Sequence, residues 1–209
     1  MKIDVLTIFP EMFEGVFKTS IIGRATGTGI VEIKVHNLRD WSDDNYKSVD
    51  DRPFGGGAGM VMRVDVVDRA LADLKNKDTK VILLDTKGKM YNQGEAGKLT
   101  KEKHLILIAP HFEGIDHRVH ENLVDEVYSI GPYVLSGGEL PVMVVVDSIV
   151  RLIPGSIGNP ESLAEESYSE EFEVEYPQYT RPAEYKGWKV PEILLSGDHK
   201  KIENWRRGK

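Results

Sequence analysis

The sequence contains no cysteine, which excludes disulfide staples and thiolate metal centres and fits a reducing compartment. No apolar run approaches the ~18 residues that a bilayer span requires. The opening stretch, MKIDVLTIFPEMF, lacks the charged head, long apolar run and small-residue cleavage site of a secretory leader. These absences lead to the expectation of a soluble, cytoplasmic protein with no membrane partner. Positive charge is also scarce: 27 Lys and Arg stand against 34 Asp and Glu, a formal net charge of −7. Taken whole, that balance argues against a nucleic-acid partner. Its distribution does not. Residues 161–175, ESLAEESYSEEFEVE, hold seven glutamates and no basic residue, so without them 27 acidic residues face 27 basic ones. The closing DHKKIENWRRGK carries five Lys and Arg against two acids, a local basic tail compatible with phosphate contact.

What is present is the alternation of an α/β protein. Lys2–Ile8 and Val31–His36 read as strands, with a helix over Pro10–Phe17 between them. A polar, Gly-rich stretch, Leu38–Met60, follows. Val64, Val67, Leu71 and Leu74 recur at helical spacing and predict a helix over Val64–Leu74. Lys80–Leu84 and His104–Ile108 are short apolar runs of the kind buried in parallel sheets. Ile115–Leu123 reads as helix, Glu126–Ile130 as a fifth strand, and Glu139–Ile153 as a strongly apolar helix that Pro154-Gly155 ends. The pattern predicts a mainly parallel sheet with helices on both faces over residues 1–158. An acidic, flexible linker is expected over 159–176, then a small, shortened helical unit over 177–209. The sequence shows no internal repeat.

In open α/β sheets, ligands collect at the carboxyl ends of the strands, and three loops there stand out. In RPFGGGAGM, Arg52–Met60, four glycines in five positions let the backbone approach a flat or anionic ligand. No Gly-Lys-Ser/Thr follows, so this is not a P-loop; a flexible surface loop is the plain alternative. In IAPHFEGIDHRV, Ile108–Val119, Glu113 could accept hydrogen bonds from a purine edge, or serve only as an acid at a helix start. His111, His117 and His120 lack a completing carboxylate in any recognised ligand pattern, so no metal ligands are assigned. The third loop, SIGPYVLSGGELP, Ser129–Pro141, leads a strand through Gly131, Gly137 and Gly138 directly into a helix. Such a loop offers backbone groups to an adenine edge and to ribose hydroxyls. Glu139, Asp147 and Arg151 fall on one stripe of that helix by spacing, with Asp147 and Arg151 in the favourable i,i+4 order.

The segments TIFPEMF (7–13), VDDRPFGGGAGMVM (49–62), FEGID (112–116), SIGPYVLSGGELP (129–141), RLIPG (151–155) and YTRPAEYKGWKVPEILLSGDHKKIENWR (179–206) together resemble the bacterial tRNA (guanine-N1)-methyltransferases, the TrmD family of the SPOUT superfamily. The matches are collinear and span essentially the whole chain. The resemblance implies a SPOUT-type fold whose C-terminal part threads a deep trefoil knot, an arrangement that strand counting does not reveal. It implies a homodimer with active sites at the subunit interface, S-adenosylmethionine as methyl donor, and tRNA as substrate, methylated at the guanine 3′ of the anticodon. It also points to Mg²⁺.

Carried over residue by residue, the resemblance gives a donor pocket lined by Leu83, Leu84, Pro110, Ser129, Ile130, Gly131, Tyr133, Leu135, Gly137, Gly138 and Pro141. It places Glu113 and the loop from Gly55 to Gly59 near the target guanine. Arg151 takes the catalytic arginine position, and Glu166 falls on the general base. Four departures from the family pattern stand out. Glu166 replaces an aspartate, Pro110-His111 replaces Gly-Arg, LDTKGK (84–89) replaces an LSPQGR-like turn, and the chain stops soon after NWRR. They keep open two alternatives: a SPOUT methyltransferase acting on another RNA, and a catalytically silent RNA-binding relative.

Overall fold

The computed structural model describes residues 1–159, 166–168 and 174–208. The chain divides into two compact units, Met1–Gly158 and Asn159–Lys209. In the first unit β1 (Lys2–Thr7) is followed by a 3₁₀ turn, Pro10–Phe13, then α1 (Glu14–Phe17), α2 (Ser20–Gly27) and β2 (Glu32–Asn37). A short hairpin, β3 (Asp50–Asp51) and β4 (Val61–Met62), brackets the Gly-rich loop and leads into α3 (Val64–Leu74). Next come β5 (Thr79–Met90), α4 (Gln93–Leu99), β6 (His104–Ile108), α5 (His117–Asn122), β7 (Glu126–Ser129) and α6 (Glu139–Val150).

The five long strands form one sheet in the order β2-β1-β6-β5-β7, with every neighbouring pair parallel. Parallel strands need crossover connections that put helices on the sheet faces, so both faces are buried. Alternation along the strands divides the core accordingly. Ile3, Val5, Ile82, Leu84, Leu105 and Leu107 face one side with Val142, Val145, Val146 and Ile149 of α6. Leu6, Val81, Leu83, Ile106 and Ile108 face the other with Val66, Val67, Ala70 and Leu71 of α3. Each fully buried aliphatic side chain contributes roughly 1.5–3 kcal/mol. The apolar character of α6 is thereby explained: only Leu140, Val144 and Asp147 of that helix are exposed.

One polar group is deeply embedded. Asp4, fully buried on β1, receives His36 Nε2 at 2.8 Å, His104 Nε2 at 2.7 Å and Lys2 Nζ at 2.6 Å. Burial pushes its carboxyl up, but the hydrogen bonds from His36, Lys2 and His104 and the charge of Lys2 outweigh that, holding it well below the ordinary carboxylate range.

Several expected bounds shift. The helix expected over Pro10–Phe17 is a 3₁₀ turn followed by a single α-helical turn. Helix α5 starts at His117 rather than at Ile115, and α6 ends at Val150 rather than Ile153. The largest difference is β5, expected to stop at Leu84 but extended to Met90. Its ladder with β7 jumps from Leu84 to Lys89, both opposite Tyr128, so that residues 85–88 bulge out and the chain rejoins the sheet. Gly88 permits this because a Cβ there would lie 2.6 Å from the Tyr128 backbone.

The second unit contains a hairpin, β8 (Glu184–Tyr185) with β9 (Trp188–Lys189), then α7 (Glu192–Leu195) and α8 (His199–Arg206). Trp205 of α8 lies 6.5 Å from the Tyr176 ring and 6.3 Å from the Tyr179 ring. Of the expected acidic linker, 159–176, residues 160–165 and 169–173 lie outside the described residues. No helix among the described residues is long and apolar enough to cross a membrane.

Candidate active site

The bulge of β5 and the segments that leave the carboxyl ends of β6 and β7 enclose a cavity of about 230 Å³. From β5 come Leu84, Asp85 and Thr86. The turn after β6 supplies Pro110 to Gly114, and the loop after β7 supplies Ser129 to Gly138 except Pro132, with Pro141 from the start of α6. Location follows from topology: strand ends are where a parallel sheet leaves a crevice.

The wall contributed by the third loop is packed backbone against backbone. The Gly138 N–H donates to Pro110 O at 2.6 Å. A Cβ at Gly138 would lie 2.8 Å from both Ala109 Cα and Pro110 N, so only glycine lets the two loops touch. At Gly131 and Gly137 an added Cβ would instead meet side chains, the Tyr133 ring in the first case and Glu139 with His111 in the second. Beneath the cavity, the Tyr128 hydroxyl donates toward the carboxylates of Glu95, at 2.8 Å, and Glu126. Burial and these two carboxylates push the Tyr128 phenol far above its ordinary value, so it remains a hydrogen-bond donor. Glu95 is held at about 2 by Lys98, the Tyr128 hydroxyl and Lys89.

Glu139, at the first position of α6, is turned inward. It is 2% exposed, accepts from Thr7 Oγ1 at 3.0 Å, and meets His111 Nδ1 at 3.3 Å. The single stripe expected for Glu139, Asp147 and Arg151 is therefore split, because Asp147 faces outward. Eight residues along an α-helix advance about 80° past two full turns, enough to separate a buried edge from an exposed one.

The Gly-rich loop is tied to the turn after β6. The Glu113 N–H donates to Met60 O at 3.0 Å, Met62 N–H to Gly114 O at 2.9 Å, and Asp116 N–H to Met62 O at 3.0 Å. Gly59, at φ +76°, is so close to the Glu113 side chain that a Cβ would overlap it. Glu113 precedes α5, whose N-cap is Asp116, accepting from Arg118 N–H at 2.9 Å. It is thus not an acid of the helix's first turn but a cavity wall. Its neighbour Phe112 has φ +61°, a left-handed conformation of the kind found at binding sites.

Ten of the eleven residues assigned to the donor pocket border this one cavity. Leu83 does not: its side chain is fully buried on the opposite sheet face with α3, as its place between Ile82 and Leu84 on an alternating strand requires. Glu113 lines the cavity and Gly59 abuts it, while Gly55 lies out on the exposed loop and is not part of the lining. Arg151 is half-buried at the C-cap of α6 in the first unit. Glu166 belongs to the second unit. Asp85, Thr86, Phe112 and Tyr128 also line the cavity without having been singled out. The signal available for Asp85 was the departure at LDTKGK. His117 and His120 stand on α5 with rings 4.8 Å apart. Among the described residues there is no group of three or more His, Asp or Glu suited to a metal ion.

The whole chain, residues 1–209, matches the family model described as tRNA (Guanine-1)-methyltransferase TrmD. This chain belongs to that family. Its similarity to curated members is high and nearly end to end. It is 52% identical over 207 residues to the tRNA (guanine-N(1)-)-methyltransferase of Dictyoglomus turgidum, covering 99% of this chain and 84% of that protein. Against the Bacillus subtilis tRNA (guanine-N(1)-)-methyltransferase it is 50% identical over 209 residues, covering 99% and 86%. The Ruminiclostridium cellulolyticum protein of the same name is 52% identical over 209 residues, covering 99% and 89%. The family membership therefore embraces both units.

Proposed function

We propose that this protein is a tRNA methyltransferase that moves the methyl group of S-adenosylmethionine to N1 of the guanine 3′ of the anticodon. The observation that carries this reading is the glycine-walled cavity at the bulge of β5 and the ends of β6 and β7 in a chain of this family. The wall is made of backbone where Gly138 meets Pro110, the kind of surface that recognises an adenine edge without side-chain charge.

S-adenosylmethionine, when bound, supplies a methyl carbon already activated by its sulfonium. The catalytic demand then falls on guanine, because N1 carries a proton and its lone pair must be freed. Glu113, on the cavity wall, accepts hydrogen bonds from the guanine's N–H edge and sets its plane. Glu166 takes the N1 proton, a role worth roughly 10²–10⁴ in rate. With N1 freed of its proton, the bound donor would supply the methyl carbon to that lone pair, and its sulfur would keep the electron pair of the broken C–S bond. Arg151 offsets the negative charge that develops on O6. Holding the two reactants in line contributes up to roughly 7–11 kcal/mol.

The finer features of the reading are the SPOUT trefoil knot, a homodimer with its sites at the interface, a cytoplasmic location and Mg²⁺. The knotted path is what membership of this family implies. The dimer is supported by an apolar stripe on α6, where Leu140 and Val144 are 52% and 49% exposed. The described residues do not fit Mg²⁺ by themselves, lacking a ligand cluster, and no step is routed through the ion.

The test is mass spectrometry of undermodified tRNA after incubation with labelled donor. Label at N1 of the guanine 3′ of the anticodon is expected. Label on another nucleotide or another RNA would favour the alternative substrate, and retention of tRNA without transfer would favour the silent relative. Arg151→Ala and Glu166→Ala are each expected to abolish most turnover while donor binding stays largely intact; full rate in Glu166→Ala removes it as the base.

A further inference from the structure

The bulge that interrupts β5 opens with an acid held on several sides. Asp85 follows the buried Leu84 and lines the cavity, with its side chain 14% exposed. Its Oδ1 accepts from Lys87 N–H at 2.9 Å and from the Thr86 hydroxyl at 3.4 Å, and its Oδ2 meets His120 Nε2 at 3.1 Å. An ionised carboxylate only accepts, so the hydrogen of that contact resides on Nε2. The His120 side chain is 9% exposed, and its buried Nδ1 has no hydrogen-bond partner among the described residues. Leaving a ring nitrogen buried and unpaired is costly. That cost is tolerated here in a ring whose only polar contact among the described residues is the one to Asp85.

Among the described residues, the cavity lining contains two carboxylates, Asp85 and Glu113, and no Lys or Arg. Glu113 is packed against Gly59 of the Gly-rich loop, on the side assigned above to guanine. Asp85 stands where β5 breaks into its bulge, beside the carboxyl ends of β6 and β7, and acids at strand ends of α/β nucleotide sites recognise ribose hydroxyls. A carboxylate has about four lone-pair positions. The Lys87 and His120 contacts and the long one to Thr86 leave capacity for a ligand.

We propose that Asp85 receives the ribose hydroxyls of the adenosyl donor and that His120 is the positioning residue that holds it. This rests on the reading that the donor occupies the cavity. The pair is carried by the LDTKGK turn and α5, so it is a donor-recognition device particular to this chain's departure from the family pattern.

Isothermal titration of the full chain with S-adenosylhomocysteine, S-adenosylmethionine and the 2′- and 3′-deoxy forms of the homocysteine compound tests it. Asp85→Ala should weaken both adenosyl ligands by about ten- to a hundredfold, the range for a hydrogen bond to a charged group, and Asp85→Asn by less. The penalty that the wild-type protein shows for a deoxy ligand should disappear in Asp85→Ala. His120→Phe should weaken binding, and His120→Gln, which retains an N–H donor, should restore most of it. Unchanged affinity in Asp85→Ala overturns the proposal, as does a deoxy penalty that survives the substitution. Weakened binding of S-adenosylmethionine alone also overturns it, because that would place the contact at the sulfonium. A His120→Phe protein altered only in melting temperature removes the positioning role. Failure of the wild-type protein to bind either ligand would sink the donor reading itself, a different outcome.

Discussion

Gly138→Ala is the sharpest single perturbation of the proposed donor pocket. The backbone at Gly138 is unstrained, so the argument is about space: an added methyl group would lie 2.8 Å from Ala109 Cα and Pro110 N and still closer to Pro110 Cδ. None of these atoms is the far end of a flexible side chain, and the 2.6 Å hydrogen bond from Gly138 N to Pro110 O resists separation of the two loops. Overpacking of this kind costs about 1–3 kcal/mol. If the strain is relieved by opening the wall, it appears in donor affinity as roughly a five- to hundredfold rise in Kd. Gly131→Ala provides the internal comparison, because the atoms nearest its new methyl belong to the Tyr133 ring, a 52% exposed side chain held by one hydrogen bond to Ile130 O rather than by backbone packing. Calorimetric titration with S-adenosylhomocysteine should therefore rank wild type, Gly131→Ala and Gly138→Ala in order of falling affinity. Wild-type affinity and melting temperature in Gly138→Ala would refute the reasoning, since the backbone contact would then be dispensable.

Replacing Asp4 by Asn should cost about 3 kcal/mol at pH 7, the scale for removing one member of a buried ion pair, measured by urea unfolding. Because the folded carboxyl is depressed, its contribution is complete above the unfolded value near ~3.9 and is lost as pH falls toward the folded value, so the gap between the two proteins should narrow in acid. Glu95, held at about 2, behaves alike: its contribution is lost between its unfolded value near ~4.3 and about 2, and Glu95→Gln should flatten that part of the acid-unfolding curve. Val144→Asp, on the exposed stripe of α6, should halve the particle mass seen by light scattering; an unchanged mass would speak against that surface as the dimer contact.

The sheet was legible because each central strand is a continuous apolar run: HLILI at 104–108 buries every residue, and only a strand covered on both faces tolerates that. The helix α3 was legible for the complementary reason, since its apolar residues recur at helical spacing with polar ones between. Helices α2 and α4 escaped notice because each holds two glycines, which lowers helix propensity by about 1 kcal/mol apiece. A local signal did exist at α4. Asn92 caps it by accepting from Glu95 N–H at 3.1 Å, the Asn-x-x-Glu spacing of a capping box. The extension of β5 past Leu84 had no local signal at all. DTKGK reads as a turn, and only the partner strand, Tyr128–Ser129, draws Lys89 and Met90 back into the ladder.

The residues that the resemblance assigns to the donor, Leu83 excepted, border one cavity, and the structure supplies a physical reason for that grouping that the motif does not contain. Three chain segments far apart in sequence are locked by a few polar contacts at one end of the sheet. Thr7 leaves β1 and donates to Glu139 at the start of α6, and Glu139 meets His111 in the turn after β6. Gly138, one residue earlier, bonds Pro110 in that same turn. The buried carboxylate of Glu139 sits at the N-terminal end of a twelve-residue helix, where the macrodipole favours negative charge by about 0.3–1 kcal/mol, up to ~2 when partly buried. That placement lets a charged group anchor a hydrophobic helix without an Arg or Lys partner in the cavity. The same economy bears on His111, which stands where the family pattern has an arginine. A fixed cation there would pair with Glu139 permanently, whereas an imidazole joins it through a single nitrogen at 3.3 Å and leaves its ring stacked edge-on against Phe9 at 4.9 Å. His111 is thus held by packing and this one side-chain contact, while backbone hydrogen bonds from Gly138 and Glu113 and to Met62 fix the rest of the turn after β6. Phe112 and Gly114 on either side of Glu113 keep the positive-φ backbone that turns Glu113 toward the Gly-rich loop.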